Sequence, residues 1–279
     1  MSNLLARFLT AVATVPFLVL AINWKNPIAA EGVILLAAVL SMREWANMTQ
    51  KGSPLADRAF VAVLGSALFA TLQFTKDISG APALATAVAT MGVFLWFLFR
   101  IGEMERVATR IAFALGGYAY ISLLVFLSWL KLRDVDGPGD GWAWIYVALS
   151  IAWISDTGAY FAGRFLGPRI PRKLYETVSP KKTVVGFFGG IAGSYAALVV
   201  AKLWYFPALS WADTALVAIP ANLLGQMGDL AESLIKRSVG VKDSGTLLPG
   251  HGGMLDRIDA LLFVAPWVWA YATWAFGRF

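Results

Sequence analysis

Apolar runs of about 20 residues recur along this chain, each long enough to cross a bilayer core of about 30 Å as a helix. They lie near 4–23, 27–42, 58–75, 81–100, 108–130, 141–164, 183–205, 211–233 and 257–277. In lipid a backbone must satisfy its own N–H and C=O groups, so such runs fold as helices. The sequence therefore predicts an all-α polytopic integral membrane protein with about nine transmembrane helices. The second run is short and is expected to be tilted or partly re-entrant. Only 14% of the 279 residues are charged and 58% are hydrophobic, whereas soluble domains carry about 25% charged residues. The absence of cysteine excludes disulfides, thiolate metal sites and cysteine catalysis. Arg7 ahead of the first run would suit a signal peptide, but no soluble domain follows, so that run is read as a retained helix.

Connections between runs are brief except at about 165–182 and 234–256, which carry most of the polar sequence. The runs over 1–140 are read as a scaffold that would also carry dimer contacts, and 141–279 as the catalytic part with its cytoplasmic loops. Of the 23 Lys and Arg residues, all but Lys25, Lys76, Lys131, Arg133, Lys202 and Arg278 fall on one side of the nine-run topology. Cytoplasmic loops collect Lys and Arg. This side is therefore the cytoplasm, the N-terminus is cytoplasmic and the C-terminus outside. Both long polar loops then face the cytoplasm. The net charge of +6 is explained by this topology and calls for no nucleic acid. For Arg43 through Arg110 topology alone suffices.

Three segments need more than topology. The run 141–164 ends "AWISDTGAYFAGRFLG", where Asp156, Tyr160 and Gly163 share a helical face. An acid inside a span faces a polar interior or an ion, or pairs with a cation such as Arg164. In "YETVSPKKTVVGFFGG", Ser179, Lys181, Lys182 and Thr183 stand at the mouth of the next span. A helix starting there adds free N–H groups suited to phosphate oxygens; a simple cationic stop is the other reading. Gly186 with Gly190, and Gly189 with Gly193, suit close helix packing. In "GQMGDLAESLIKRSVGVKDSG", Asp229, Glu232, Ser233 and Lys236 form one polar stripe. It lines a site or forms a salt-bridge seam.

The stretch "LLPGHGGMLDRID" follows. Pro249-Gly250 turns the chain, Gly252 and Gly253 permit close approach to backbone, and Asp256 and Asp259 share a face of the starting helix. With Asp229 they offer hard oxygens beside cations, a pattern suited to Mg²⁺ shared with phosphates; dipole compensation at a helix start is the alternative. His251, the chain's single histidine, is a phosphate ligand, a turn-shaping residue or a base.

"SLIKRSVGVKDSGTLLPGHGGMLDRID", residues 233–259, resembles the signature of phosphatidate cytidylyltransferases, also called CDP-diglyceride synthetases. "SDTGAYFAGRFLG", "SPKKT" and "GDLAES" resemble the family too, as do smaller features such as Arg7 and Glu44; the likeness is strong over about 150–260. It implies a multi-span, Mg²⁺-dependent enzyme that joins CTP and phosphatidic acid to give CDP-diacylglycerol and pyrophosphate. It also implies a second cation, K⁺, and a homodimer. By position, Asp229 and Asp256 are the expected metal ligands, with Asp259 and Asp156 next. Lys181, Lys182, Lys236, Arg237, Lys242 and Arg257 would hold phosphates, with Asp229, Asp256, Lys236, Arg237 and Arg257 as the catalytic set. Ser179, Thr183, Tyr160, Arg164, His251, Gly252 and Gly253 complete the substrate contacts. The chain departs from the pattern at Val185, where the family usually has Glu; either that acid is dispensable or another group such as Glu176 or Glu232 replaces it.

The implied chemistry needs no general base, because the attacking lipid phosphate is already anionic. The expected setting is a bacterial inner membrane with lipid at hand and CTP arriving from the cytoplasm. No GxxxxGK[ST] occurs, so nucleotide binding is not of the P-loop kind. A transporter or channel is the main rival, since intramembrane acids and glycine-rich breaks also mark ion pathways. A nucleotidyltransferase for another lipid phosphate, or a silent relative, is open as well.

Overall fold

The computed structural model describes residues 3–75, 80–247 and 252–276. Its helices are α1 (Asn3–Asn23), α2 (Ile28–Thr49), α3 (Leu55–Phe74), α4 (Ala81–Phe99), α5 (Met104–Ser122), α6 (Val125–Asp136), α7 (Gly141–Phe165), α8 (Val184–Trp204), α9 (Trp211–Ser238) and α10 (Leu255–Ala270). A π-helical turn, Tyr271–Ala275, continues α10. Each expected apolar run falls on helix, the fifth being shared by α5 and α6. Among the described residues six stretches are long and apolar enough to span: Leu55–Phe74, Ala81–Phe99, Met104–Asp136, Gly141–Phe165, Val184–Trp204 and Leu255–Ala275. The chain is thus a helical, polytopic membrane protein. Helix α2, which carries Glu31, Arg43 and Glu44, and α9, with five charged residues from Asp213 to Arg237, are not among these six.

The all-α expectation needs one amendment. Strands β1 (Lys173–Tyr175) and β2 (Ser179–Thr183) form an antiparallel hairpin in the loop after α7. Lys181 and Lys182 therefore stand on a strand, and α8 begins beyond them at Val184.

Two compact units divide the chain. One comprises Met1–Ser128 and Val239–Arg257. Its interior is organised around Asp57, which is buried near the start of α3. Asp57 Oδ1 accepts from Trp96 Nε1 at 3.1 Å and Arg100 Nε at 2.9 Å, and Oδ2 accepts from the buried Arg110. Arg110 also lies 4.4 Å from the centre of the Phe97 ring and exchanges hydrogen bonds with Gln50. Arg100 and Arg110, which topology alone could explain, are thus structural partners of a buried acid. Small residues set the helix spacing here. Trp45 of α2 donates to Phe113 O at 2.8 Å across the face where Gly117 leaves room, and Tyr118 donates to Val61 O at 3.0 Å over Gly65.

The other unit comprises Trp129–Ser238 and Ile258–Phe279. Charges in its first segment are internally matched. Lys131 pairs with Asp134 at 2.7 Å, and Arg133 grips both oxygens of Asp140 at 2.8 and 2.9 Å. At the start of α9, Ser210 and Asp213 cap each other reciprocally: Ser210 N donates to Asp213 Oδ2 and Asp213 N donates to Ser210 Oγ. Tyr271 donates to the same acid at 2.5 Å.

Helices α7 and α8 approach backbone to backbone. A Cβ on Gly158 would stand 2.5 Å from Gly189 O, one on Gly189 2.3 Å from Ala162 Cβ, and one on Gly193 2.9 Å from Ile154 O. The glycine pairs at four-residue spacing therefore pack helices, as the sequence suggested. Gly225 and Gly228 do the same for α9 against Ala260, Phe263 and Val264.

This packing predicts a sharp contrast. Gly158→Leu should force α7 off α8 and cost about 3 kcal/mol, at the upper end of overpacking penalties. Gly116→Ala, with nothing within 4 Å of the added atom, should leave stability unchanged or slightly raised. Thermal unfolding in detergent compares the two; equal midpoints would contradict the packing described.

Candidate functional site

The α7–α8 approach opens at one end onto a cavity of about 720 Å³. Asp156, Tyr160 and Arg164 reach it from α7, one turn apart. The hairpin supplies Lys173, Lys181, Lys182 and Thr183, α8 supplies Phe187, and α9 supplies Gln226 and Asp229. The hairpin is tied to α8 by Val184 N, which donates to Arg172 O at 2.9 Å. Thr183 is the N-cap of α8, its Oγ1 accepting from Gly186 N at 3.0 Å. Neither Gly163 nor Gly186 could carry a side chain without crowding that hydroxyl.

Electrostatics divide the cavity. Lys181, Lys182 and Arg164 lie on the hairpin side, together with the positive end of α8. Asp156 and Asp229 answer them, and Lys182 Nζ lies 2.7 Å from Asp229 Oδ2. Asp259, in the first turns of α10, is within electrostatic reach of Asp229, Glu232 and Asp156. Glu232 is fully buried and bonded to Lys236 Nζ at 2.6 Å. Asp156, Asp229 and Glu232 are thus gathered around Asp259. Among the described residues, no three of the acids converge on a common point. The expected stripe on α9 is real: Ser233 Oγ lies 3.3 Å from Asp229 Oδ1, and Lys236 sits one turn beyond Glu232.

The cavity thus brings together Asp156, Tyr160, Arg164, Lys181, Lys182, Thr183 and Asp229 from the expected set. Ser179 pairs with Tyr175 in the hairpin instead. Lys236 is buried against Glu232 rather than lining the cavity, and Arg237 is exposed on α9. Val185 lies in the first turn of α8. Of the acids that could stand in for the missing Glu, Glu232 is buried with Lys236 and Glu176 is exposed in the hairpin turn. Lys173, Phe187 and Gln226 were not expected at the site. Gln226 lies three residues before Asp229, so the polar stripe extends one turn further back than its charges indicate.

The rest of the signature belongs to the other unit, where it wraps around a carboxylate from α2. Glu44 Oε1 accepts from Met254 N at 2.9 Å. Its Oε2 accepts from Leu255 N at 2.9 Å and faces Ser244 Oγ at 3.0 Å. These backbone groups are orphan donors at the start of α10, so a side chain some 200 positions away caps the helix. Asp256 closes the loop from inside. Its Oδ2 accepts from Gly253 N at 2.8 Å and Ser244 N at 3.0 Å, with Ser244 Oγ also at 3.0 Å. The glycines make room for these carboxylates. A Cβ on Gly253 would lie 2.4 Å from Glu44 Oε2, and Gly252, at φ +82°, would place one 2.6 Å from Asp256 Oδ2. Lys242 and Arg257 are exposed in this unit. His251 and the Pro249-Gly250 turn lie outside the described residues.

Residues 5–275 match the model of the Cytidylyltransferase family. Among curated relatives, the phosphatidate cytidylyltransferase of Staphylococcus epidermidis is 42% identical over 155 residues, 56% of each chain. That of Bacillus subtilis is 42% identical over 149 residues, 52% of each chain. That of Staphylococcus aureus is 40% identical over 158 residues, 56% of each chain. The chain thus spans about half the length of the curated relatives it matches.

The Glu44 contacts generate a prediction about the loop. Each hydrogen bond to an ionised group is worth about 1.5–3 kcal/mol. Glu44→Ala should therefore raise amide hydrogen exchange at Met254 and Leu255 by at least about tenfold, with Glu44→Gln in between. Unchanged exchange at those two amides would show that the cap does not hold the loop.

Proposed function

The chain belongs to the cytidylyltransferase family, and we propose that it joins CTP to phosphatidic acid, giving CDP-diacylglycerol and pyrophosphate. The observation that carries this reading is the cavity itself, where Lys181, Lys182, Arg164 and the N-terminus of α8 face Asp156 and Asp229. Two polyanionic substrates must meet, and mutual repulsion is the barrier that such a cationic wall lowers. Lys acts as a compact charge and Arg as a bidentate fork, so the two types hold different phosphate oxygens. An oxygen of the lipid phosphate attacks the α-phosphorus of CTP, the bond to the β-phosphate oxygen breaks, and pyrophosphate leaves. No proton has to be removed from the nucleophile, which suits a cavity whose described lining contains no histidine.

Asp229 and the acids near it offer hard oxygens of the kind a divalent cation takes. We assign Mg²⁺ to Asp229 and K⁺ as a second cation; Asp259 and Asp156, which do not converge with it on one point, would add negative charge nearby. When bound, Mg²⁺ supplies charge neutralisation for the departing pyrophosphate. With Asp229 engaged by the metal, the ammonium of Lys182 would turn to phosphate. The roles of Asp256, Lys236, Arg237, Lys242 and Arg257 rest on the sequence signature.

In the same reading the chain crosses a bacterial inner membrane nine times, with its N-terminus in the cytoplasm, its C-terminus outside and its site facing the cytoplasm. The one-sided distribution of Lys and Arg supports that orientation. Membrane lipids are its surroundings, and a homodimer is its proposed assembly.

Purified protein given labelled CTP, phosphatidic acid and Mg²⁺ should yield lipid-bound CMP. Asp229→Asn should lower turnover at least about 100-fold at limiting Mg²⁺ with the thermal midpoint preserved. A folded sample that forms no product would overturn the enzymatic reading. Wild-type turnover by Asp229→Asn would overturn the metal assignment alone.

A further inference from the structure

Among the neutral residues that line the cavity, Gln226 has its orientation imposed from the protein interior. Asn222 of α9 is buried between α7 and α8. Its Nδ2 donates to Ser155 Oγ at 2.6 Å and to Ser194 Oγ at 2.8 Å. Ser194 Oγ in turn donates to Ile151 O at 3.4 Å. A backbone carbonyl can only accept, so the Ser194 proton is committed and its oxygen must receive from Asn222. The amide of Asn222 is thereby fixed with Oδ1 pointing along α9. Gln226 Nε2 donates to that Oδ1 at 2.6 Å and to the carbonyl of Phe187 at 3.1 Å. Both N–H bonds of Gln226 are used on obligate acceptors. Gly190 is required for this arrangement, since a Cβ there would stand 3.0 Å from both Gln226 Nε2 and Ser155 Oγ.

Two backbone carbonyls, Ile151 O and Phe187 O, thus lock the relay Ser194–Asn222–Gln226 in one sense. What remains is Gln226 Oε1, on a residue lining the cavity one turn from Asp229, with no hydrogen-bond partner among the described residues. It can accept and cannot donate. An amide free to flip would serve donors and acceptors alike; this one discriminates between them. Phosphate oxygens offer it nothing, because they too are acceptors.

Resting on the reading of the cavity as the CTP site, we infer that Gln226 is the specificity residue for the nucleobase, accepting a hydrogen bond from the exocyclic 4-amino group of cytosine. Uracil presents a carbonyl at that position and would set acceptor against acceptor. A site built to hydrogen-bond one substrate group rejects analogues lacking it more strongly than any apolar pocket could. The side chain takes no part in the bond changes. Its loss should alter the choice of nucleotide and leave the lipid substrate's KM in place.

The test compares CTP with the pyrimidinone triphosphate that lacks only the 4-amino group, at saturating phosphatidic acid and Mg²⁺. Wild-type kcat/KM should favour CTP by at least about tenfold, and UTP should inhibit weakly. Gln226→Met, of similar volume, should bring the two triphosphates within about threefold of each other. The mutant's loss should fall on CTP, with the KM for phosphatidic acid unchanged. A wild-type enzyme that turns over both triphosphates equally overturns the inference, whatever becomes of the mutant. So does a folded Gln226→Met protein that keeps the wild-type preference. Absence of any wild-type turnover with CTP overturns instead the reading on which the inference rests.

Discussion

A carboxylate removed from water must be answered by cations or donors, and this chain is organised around how each acid is answered. Asp57 takes two arginines and an indole N–H. Glu44 takes two backbone amides and stands beside a serine hydroxyl. Asp213 takes a reciprocal cap and a tyrosine. These acids are used up by structure. Asp156, Asp229 and Asp259 are different, because they are gathered close enough to repel one another. They stand with Glu232, beside Lys182 and Lys236. An arrangement that raises its own electrostatic cost is retained when a ligand repays it, and in the proposed reading that ligand is the cation and phosphate chemistry of the cavity.

Close backbone approach makes this possible. Gly158, Gly189 and Gly193 bring α7 and α8 together, and the cavity opens where the hairpin ends this contact. The hairpin then does what a bare helix N-terminus could not. Strand β2 brings both Lys181 and Lys182 to the cavity, while Thr183 closes the first turn of α8.

The sequence disclosed these features unevenly, for physical reasons. Helices were legible because lipid demands long apolar runs, and the glycine spacing of α8 was legible as packing. Charged site residues stood out because charge is rare in this chain; Asp156, Lys182 and Asp229 all reach the cavity. The hairpin was hidden, since "SPKKT" is short and polar and has no alternating apolar face for a strand pattern to reveal. The partner of the signature loop was hidden by distance, because nothing local to Gly252 and Gly253 says that Glu44 fills the space they leave. The glycines looked like access for a ligand and turn out to admit carboxylates of their own unit. Asn222 and Gln226 were hidden by neutrality, since amides on an apolar helix carry no charge to mark them.

That neutrality has its own logic. On the proposed reading the cavity takes a triphosphate and is lined with cations, and any acid placed there to read a base would be drawn to those cations and would repel the phosphates. Asp229, held by Lys182, shows the first effect directly. A glutamine avoids both, but a free glutamine carries no directional information because its two ends exchange by a flip. The relay through Asn222 and Ser194 removes the flip by referring the amide to backbone carbonyls, whose polarity cannot change. If Gln226 reads the base as inferred, recognition of a donor is set by groups up to two helices away, and substituting Asn222 should loosen base selection without touching a substrate.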